Sequence, residues 1–246
     1  MNSYIYPDGE EDPEIAAMRR DMSRETFGQE VEALFTEFVG RVFKDFNEET
    51  HVRDLSYTPG WRTFAAVDDG FTNPFVWLLV QVDEFDNIYV VDELYEPGLT
   101  IDEAATLVAD RGLAPPSLHG FYPDPASPGD SRALEAALRI RAQSGTGGEL
   151  ETRLRYIRAA LKPDSGLSVS GEPMPRLLIA RRCVNTIREF SDYPYPETRA
   201  DSTSAPNEKP LKRDDHTPEA LGRFFAGYFG APANEGTRVT TATFGD

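Results

Sequence analysis

The sequence predicts an α/β domain with a mixed sheet flanked by helices, three antiparallel strands first and then strands that alternate with helices. Three observations support this. Short apolar runs bounded by turn formers recur from Trp61 onward, the gaps between the first three runs are hairpin-sized, and a capped helix start follows the third.

Residues 1 to 12 are polar and acidic and are expected to be disordered. Arg24 to Phe38 then carries Phe27, Val31, Leu34, Phe35 and Phe38 at helical spacing, an amphipathic helix with one core-facing side. Thr63 to Val67, Phe75 to Val82 and Ile88 to Leu94 read as strands. Asp68-Asp69-Gly70 with Asn73-Pro74, and then Asp83 to Asn87, are short enough for hairpins, which makes the three strands antiparallel neighbours. Thr100 and Glu103 have the spacing at which a hydroxyl and a carboxylate cap each other's backbone N–H. A helix through Ala104 to Ala109 therefore crosses the sheet to a fourth strand, Leu118 to Tyr122.

Ser131 to Ile140 reads as a helix, and Leu150, Leu154, Ile157 and Leu161 mark one face of another, with Ser144 to Gly148 as the loop between them. Arg176 to Ala180 is a short strand and Val184 to Phe190 a helix. Tyr193 to Arg213 is a polar stretch with Pro and Ser, expected to be mobile, and Thr217 to Phe229 is the last helix. The resulting division is an acidic segment with a linker-like helix over 1–60, the α/β domain over 61–232 and a flexible tail over 233–246.

Composition narrows the function classes. A single cysteine, Cys183, excludes an internal disulfide framework, no Cys/His cluster has zinc-site spacing, and a reducing cytoplasm is expected. The first residues have neither the basic start nor the apolar run of a secretory signal. The longest strongly apolar stretch, Phe75 to Val82, is far too short to cross a bilayer as a helix, so no membrane partner is expected. A net charge of −17 is unfavourable for binding nucleic acid, but it is unevenly spread. Residues 131–200 hold 12 Lys and Arg against 8 Asp and Glu, whereas residues 61–130 hold 2 against 13. A basic segment beside an acidic one suits an enzyme that grips phosphates with one surface and cations with another; solvated helix faces are the competing explanation.

The candidate chemistry lies in acids at element ends. Asp68 follows the apolar run Phe64 to Val67 and precedes Gly70, so it ends the first strand. Asp124 follows the fourth strand between Pro123 and Pro125, which restrict its backbone. Asp214, Asp215 and Glu219 open the last helix. Each has a simpler reading: Asp caps turns, and acids at helix N-termini are favoured by the dipole. Together, two strand-end acids and a helix-start acid provide oxygen ligands for hydrolytic divalent ions.

The run Ala66-Val67-Asp68-Asp69-Gly70 with Asn73-Pro74, then Ile88-Tyr89-Val90-Val91-Asp92-Glu93-Leu94-Tyr95, then Asp124, then Asp215-His216 leading into Ala220-Leu221, resembles in order and interval the nuclease domain of the large terminase subunit of tailed bacteriophages and herpesviruses. Upstream, Met22-Ser23 through Phe27-Gly28-Gln29-Glu30 to Gly40-Arg41-Val42-Phe43 looks like the segment joining that family's packaging ATPase to its nuclease. The resemblance spans roughly Met22 to Phe229. No G-x-x-x-x-G-K-[ST] loop occurs, and Gly145-Thr146-Gly147-Gly148 lacks the following Lys, so the chain is expected not to hydrolyse ATP.

The resemblance implies an RNase H-like mixed sheet and cleavage of concatemeric viral DNA into genome lengths. Asp68, Asp124 and an acid of the final cluster would bind two Mg²⁺ or Mn²⁺ ions. Two such ions ~3.5–4 Å apart can activate a water and stabilise the leaving oxygen of one phosphodiester. This sequence departs from the family in having Asp69 beside Asp68, and Glu219 where an Asp often stands. Asp215 is the favoured third ligand, with Asp214 and Glu219 as substitutes, because Asp215 and Glu219 are i and i+4 and share a helix face. Asp69, Glu93 and His216 are supporting candidates, His216 by positioning water or phosphate. Arg139, Arg141, Arg153, Arg155, Arg158, Arg181 and Arg182 are candidates for DNA phosphates, since guanidinium pairs with phosphate bidentately. The implied partners are double-stranded DNA, the packaging ATPase domain, the small terminase subunit and the portal, in the cytoplasm of the host cell.

Two other readings remain. One is another RNase H-like nuclease of resolvase or transposase type, marked by a preference for branched DNA. The other is a non-catalytic packaging or interaction module, in which the acids only solubilise the surface or bind a partner.

Overall fold

The structure, a computed structural model, describes residues 41–145, 147–195 and 209–230. The expected helix over Arg24 to Phe38, the acidic N-terminal segment, most of the 193–213 connection and the tail from 233 lie outside the described residues. The chain divides into two compact units, Phe46–Ser191 with Asp214–Asp246, and Met1–Asp45 with Asp192–Arg213. In the second of these, Arg41 bridges Pro194, Val42 N–H donates to the Tyr193 carbonyl at 2.9 Å, and the rings of Phe43 and Tyr193 lie 5.9 Å apart.

The larger unit opens with a short helix α1 (Glu48–His51) and strand β1 (Val52–Arg53). Then come β2 (Arg62–Asp68), β3 (Phe75–Val82), β4 (Ile88–Glu96), helix α2 (Ile101–Asp110) and β5 (Leu118–Tyr122). Helices α3 (Pro128–Leu138) and α4 (Leu150–Leu161) follow, then the small hairpin β6 (Gly166–Leu167) and β7 (Pro173–Met174). Strand β8 (Leu177–Ala180), helix α5 (Val184–Asp192) and helix α6 (His216–Gly230) complete it.

Six strands form one mixed sheet in the order β1-β8-β4-β3-β2-β5. The meander β2-β3-β4 is antiparallel, as its hairpin-sized gaps predict, while β5 adds to β2 and β8 adds to β4 in parallel. The result is the RNase H-like mixed sheet. Two features escaped the sequence reading. The sheet takes in Val52–Arg53, upstream of Trp61, because this dipeptide pairs in parallel with Ile179 and Ala180 of β8. The second is the β6–β7 hairpin; both features are built from two-residue strands, too short for any periodicity to register.

Burial explains the apolar patterns. All eight residues of β3 are buried, which is why it reads as a continuous apolar run; its one polar side chain, Gln81, is fully hydrogen-bonded by Thr58 and Thr63. Alternation along β2 turns Ala65 and Val67 to a core that includes Trp77, Phe121, Ala104 and Val108, where α2 covers the sheet. Phe64, Ala66 and Asp68 face the other way. There Phe64 and Tyr122 meet Phe224 of α6 at ring distances of 6.0 and 5.2 Å. Helix α6 lies so close to β5 that a Cβ on Gly227 would collide with the Tyr122 ring. No helix among the described residues is long and apolar enough to cross a membrane.

Candidate active site

The parallel pairing of β2 and β5 assembles the acids. Ala66 lies opposite Tyr122, so two residues further along each chain Asp68 and Asp124 emerge side by side at the carboxyl ends of the strands. Beyond β5 the chain turns as Pro123 and Pro125 suggest, and Asp124 accepts from the Ala126 N–H at 2.8 Å. That bond uses Oδ1 and leaves Oδ2 for the site.

The third element is α6. Its first turn is held from outside: Glu189 of α5, fully buried, accepts from Thr217 N–H at 2.7 Å and from the Thr217 hydroxyl at 2.8 Å, and its other oxygen accepts from Tyr95 at 2.6 Å. These bonds satisfy a donor that a helix N-terminus otherwise leaves open. They also fix His216, whose Nδ1 lies 3.0 Å from Asp68 Oδ2 and whose ring stands edge-on to Tyr95. The hydrogen bond to Asp68 raises the His216 pKa above its ordinary value, against the lowering effect of burial.

At the centre is Arg223, a residue the sequence reading passed over. Its side chain is only 7% exposed. Nη1 donates to Asp68 Oδ1 at 2.6 Å and to the Val67 carbonyl at 3.2 Å, Nη2 donates to Asp124 Oδ2 at 2.7 Å, and Glu219 Oε2 lies 3.6 Å from Nη2. Burial works against the charge on Arg223, but Asp68, Asp124 and Glu219 outweigh it and raise its pKa. Glu219 is also held at 2.6 Å by Arg153 of α4, whose Cβ would stand 3.1 Å from a Cβ on Gly222, so glycine there gives that side chain room to cross α6. Asp69, next to this cluster, has its carboxyl pushed up to about 6. Burial is the largest cause, Asp124 adds repulsion, and a hydrogen bond from Ser127 opposes both. One of its oxygens is buried with no hydrogen-bond partner among the described residues.

The carboxylates that converge are thus Asp68, Asp124 and Glu219, each from a different element. Asp215 is 5% exposed at the entry to α6, where its carbonyl accepts the Glu219 N–H, and Asp214 precedes it with a positive φ of 52°. Three carboxylates suit a hard divalent cation. Among the described residues no group of three or more His, Cys, Asp or Glu is arranged to hold a metal ion. The Arg223 guanidinium lies between Asp68 and Asp124 and donates to both.

Glu93, expected in support of the acids, serves a neighbouring helix instead. It accepts from the backbone and side chains of Asn185 and Thr186 at 2.7–3.0 Å and so caps α5. Among the arginines, Arg158 pairs with Glu151, and Arg181 and Arg182 lie 3.2 and 3.6 Å from Asp54 and Asp92. Arg139, Arg141 and Arg155 are exposed, Arg139 in the left-handed conformation that closes α3. Because β1, β2, β4, β5 and β8 all run in one direction, Arg181 and Arg182 leave the same edge of the sheet as Asp68 and Asp124.

No family model matches the chain. The large terminase subunit of Escherichia phage T5 is 29% identical over 103 residues, a match that covers 39% of this chain and 24% of that protein. Among solved structures, the large terminase of a thermophilic bacteriophage superposes with a TM-score of 0.62 at 22% identity, over 76% of this chain and 45% of that one. The nuclease domain of the large terminase g2p from bacteriophage SPP1, solved with bound Mn, gives a TM-score of 0.50 at 18% identity, over 73% of this chain and 95% of that domain. The chain therefore spans less than half of the thermophilic phage's protein but nearly the whole of an isolated nuclease domain. Its fold, an RNase H-like mixed sheet flanked by helices, is that of the large-terminase nuclease domains.

Proposed function

We propose that the chain is a metal-dependent endodeoxyribonuclease that cuts concatemeric viral DNA during genome packaging. The observation that carries this reading is the convergence of Asp68, Asp124 and Glu219 on a single cation, in a fold shared with large-terminase nuclease domains. We assign the third place to Glu219, in place of the expected Asp215, because its Oε2 lies 3.6 Å from the guanidinium that holds the other two. These three residues would hold two Mg²⁺ or Mn²⁺ ions, with Asp69 alongside. Bound there, the ions supply an activated water and neutralise charge on the scissile phosphate.

The chain's own residues do the rest. His216 restrains one oxygen of Asp68 and so sets the direction of the other. Glu189 and Glu93 hold α6 and α5 at their first turns, keeping the helix that bears Glu219 in register with the strand ends. Arg181 and Arg182, with Arg139, Arg141, Arg155 and Arg158, would contact DNA phosphates, while ATP hydrolysis, the small terminase subunit and the portal belong to the rest of a packaging motor in the host cytoplasm. The low density of cations means that the isolated domain binds duplex weakly.

One observation favours a second reading. Arg223 already neutralises part of the acid cluster, as it would in a non-catalytic packaging module whose carboxylates serve only stability. Conversion of supercoiled plasmid to nicked and linear forms with Mn²⁺ or Mg²⁺ separates the two. Metal-dependent cleavage that is lost in Asp68→Ala, Asp124→Ala and Glu219→Ala supports the nuclease. Cleavage that survives Asp68→Ala and Asp124→Ala would remove the site assignment, and a folded protein inactive under all conditions would favour the module.

A further inference from the structure

We infer that Arg223 is the resident counter-cation of the acid cluster, and that a divalent ion enters by displacing its guanidinium. The inference rests on the metal-site reading above. It goes beyond it in assigning to this arginine control over metal affinity.

The competition is for particular atoms. Arg223 binds Asp68 through Oδ1 and Asp124 through Oδ2, at 2.6 and 2.7 Å. The remaining oxygens have other partners, since Asp68 Oδ2 faces His216 and Asp124 Oδ1 accepts from Ala126. A hard cation shared by these two carboxylates needs the inward oxygens at ligand distance, and those are the oxygens the guanidinium occupies. Glu219 is restrained in the same manner by Arg153 at 2.6 Å. The acids are therefore brought together without strong mutual repulsion, at the expense of immediate access for a metal.

Arg223 is suited to leaving. It sits one helical turn after Glu219, on the same face of α6, and reaches the acids through a long side chain rather than through the backbone, so its withdrawal requires no change in the helix register. Its Nε is buried with no hydrogen-bond partner among the described residues, so its present position leaves one donor unsatisfied. A displaced guanidinium beside the strand ends would find its best partner in a DNA phosphate, which offers paired oxygens of the geometry it now takes from two carboxylates. Phosphate and metal would then favour each other's binding, because each relieves the charge the other leaves behind.

The test is Mn²⁺ binding by the full chain, measured by calorimetry without DNA, together with the melting temperature in chelator. In Arg223→Gln the Mn²⁺ dissociation constant should fall about tenfold or more, the equivalent of one charge-assisted hydrogen bond no longer broken, while the metal-free protein melts lower than wild type. Arg223→Lys retains a positive charge for the buried acids but loses the forked contact; it should bind more tightly than wild type and less tightly than Arg223→Gln. It also serves if the Gln variant does not fold. Equal or weaker Mn²⁺ binding in the folded variants would overturn the inference and leave the nuclease reading standing. Absence of Mn²⁺ binding in wild type and variants alike would overturn both.

Discussion

Ala66 faces Tyr122 across the parallel β2–β5 ladder, and this pairing makes Asp68 and Asp124 share one guanidinium. In many metal sites the acids repel one another until the ion arrives, so replacing one of them stabilises the metal-free protein. Here the opposite is expected. Asp68→Asn removes the charge that Arg223 and His216 both use, leaving a buried cation undercompensated. Breaking a buried pair of this sort costs about 3–5 kcal/mol when the partner is deleted, and the amide, which can still accept a bond, recovers part of it. Thermal unfolding in chelator should therefore show Asp68→Asn melting below wild type. A rise in melting temperature would mean that repulsion among the acids dominates.

Asp69 should behave in the opposite sense. Burial raises its pKa from 3.8 to about 6, so the folded state favours the neutral acid. Its contribution is fully retained below the unfolded value and is lost as pH rises through the folded value, which makes ionised Asp69 a burden at neutral pH. Asp69→Asn should stabilise the metal-free protein above about pH 6 by roughly 1 kcal/mol, once solvent screening of a partly exposed group is allowed for, and should have no stabilising effect near pH 4. Denaturant midpoints at the two pH values check this; a stabilisation independent of pH would point to packing.

For His216 the raised pKa belongs to a base, and the sign follows from that. Its largest cause is the hydrogen bond to Asp68. The stability it contributes is complete below the unfolded-state pKa and disappears as pH rises through the folded-state value. A ring titration followed by NMR should place His216 above free histidine in the metal-free protein, and in Asp68→Asn it should fall back. An unchanged His216 titration in that variant would assign the shift to Glu189 and Asp215 instead.

Much of this was legible in the sequence because it is local. The continuous apolar run of β3, the hairpin-sized gaps on either side of it, and the reciprocal cap of Thr100 and Glu103 are fixed by neighbours along the chain. Asp68 and Asp124 could be placed at strand ends for the same reason. What could not be read was anything carried by distant partners. Arg223 sits on a helix face that is buried because α6 lies against Tyr122, and nothing in Gly222-Arg223-Phe224 announces a guanidinium aimed at two strand ends. The proposed choice of Glu219 over Asp215 likewise depends on where α6 docks. Residues i and i+4 share a face, and helical periodicity alone gives either of them an equal claim. Glu93 shows the reverse case: its place at the end of the third strand makes it a supporting candidate, but the start of α5, remote in sequence, takes both its oxygens.

Glu189 gives the last prediction. It has no exposed surface, and its two oxygens receive three hydrogen bonds, from Tyr95, Thr217 N–H and the Thr217 hydroxyl. The nearest cationic group, on Arg188, is 3.9 Å away, so the carboxylate is balanced mainly by donors and by the positive end of α6. Replacing it with Gln keeps the shape but leaves a single acceptor for donors arriving on both sides. The expected cost is about 1–3 kcal/mol, with Glu189→Ala costing more because the buried Thr217 donors lose their acceptor altogether. The effect should be local before it is global. Hydrogen exchange at Thr217 N–H should accelerate in Glu189→Gln while amides in β3 stay protected. The His216 titration should also move toward that of a free imidazole as the first turn of α6 loosens and its bond to Asp68 lengthens. Uniform loss of protection across the sheet, with His216 unmoved, would make Glu189 an ordinary core residue with no hold on the site.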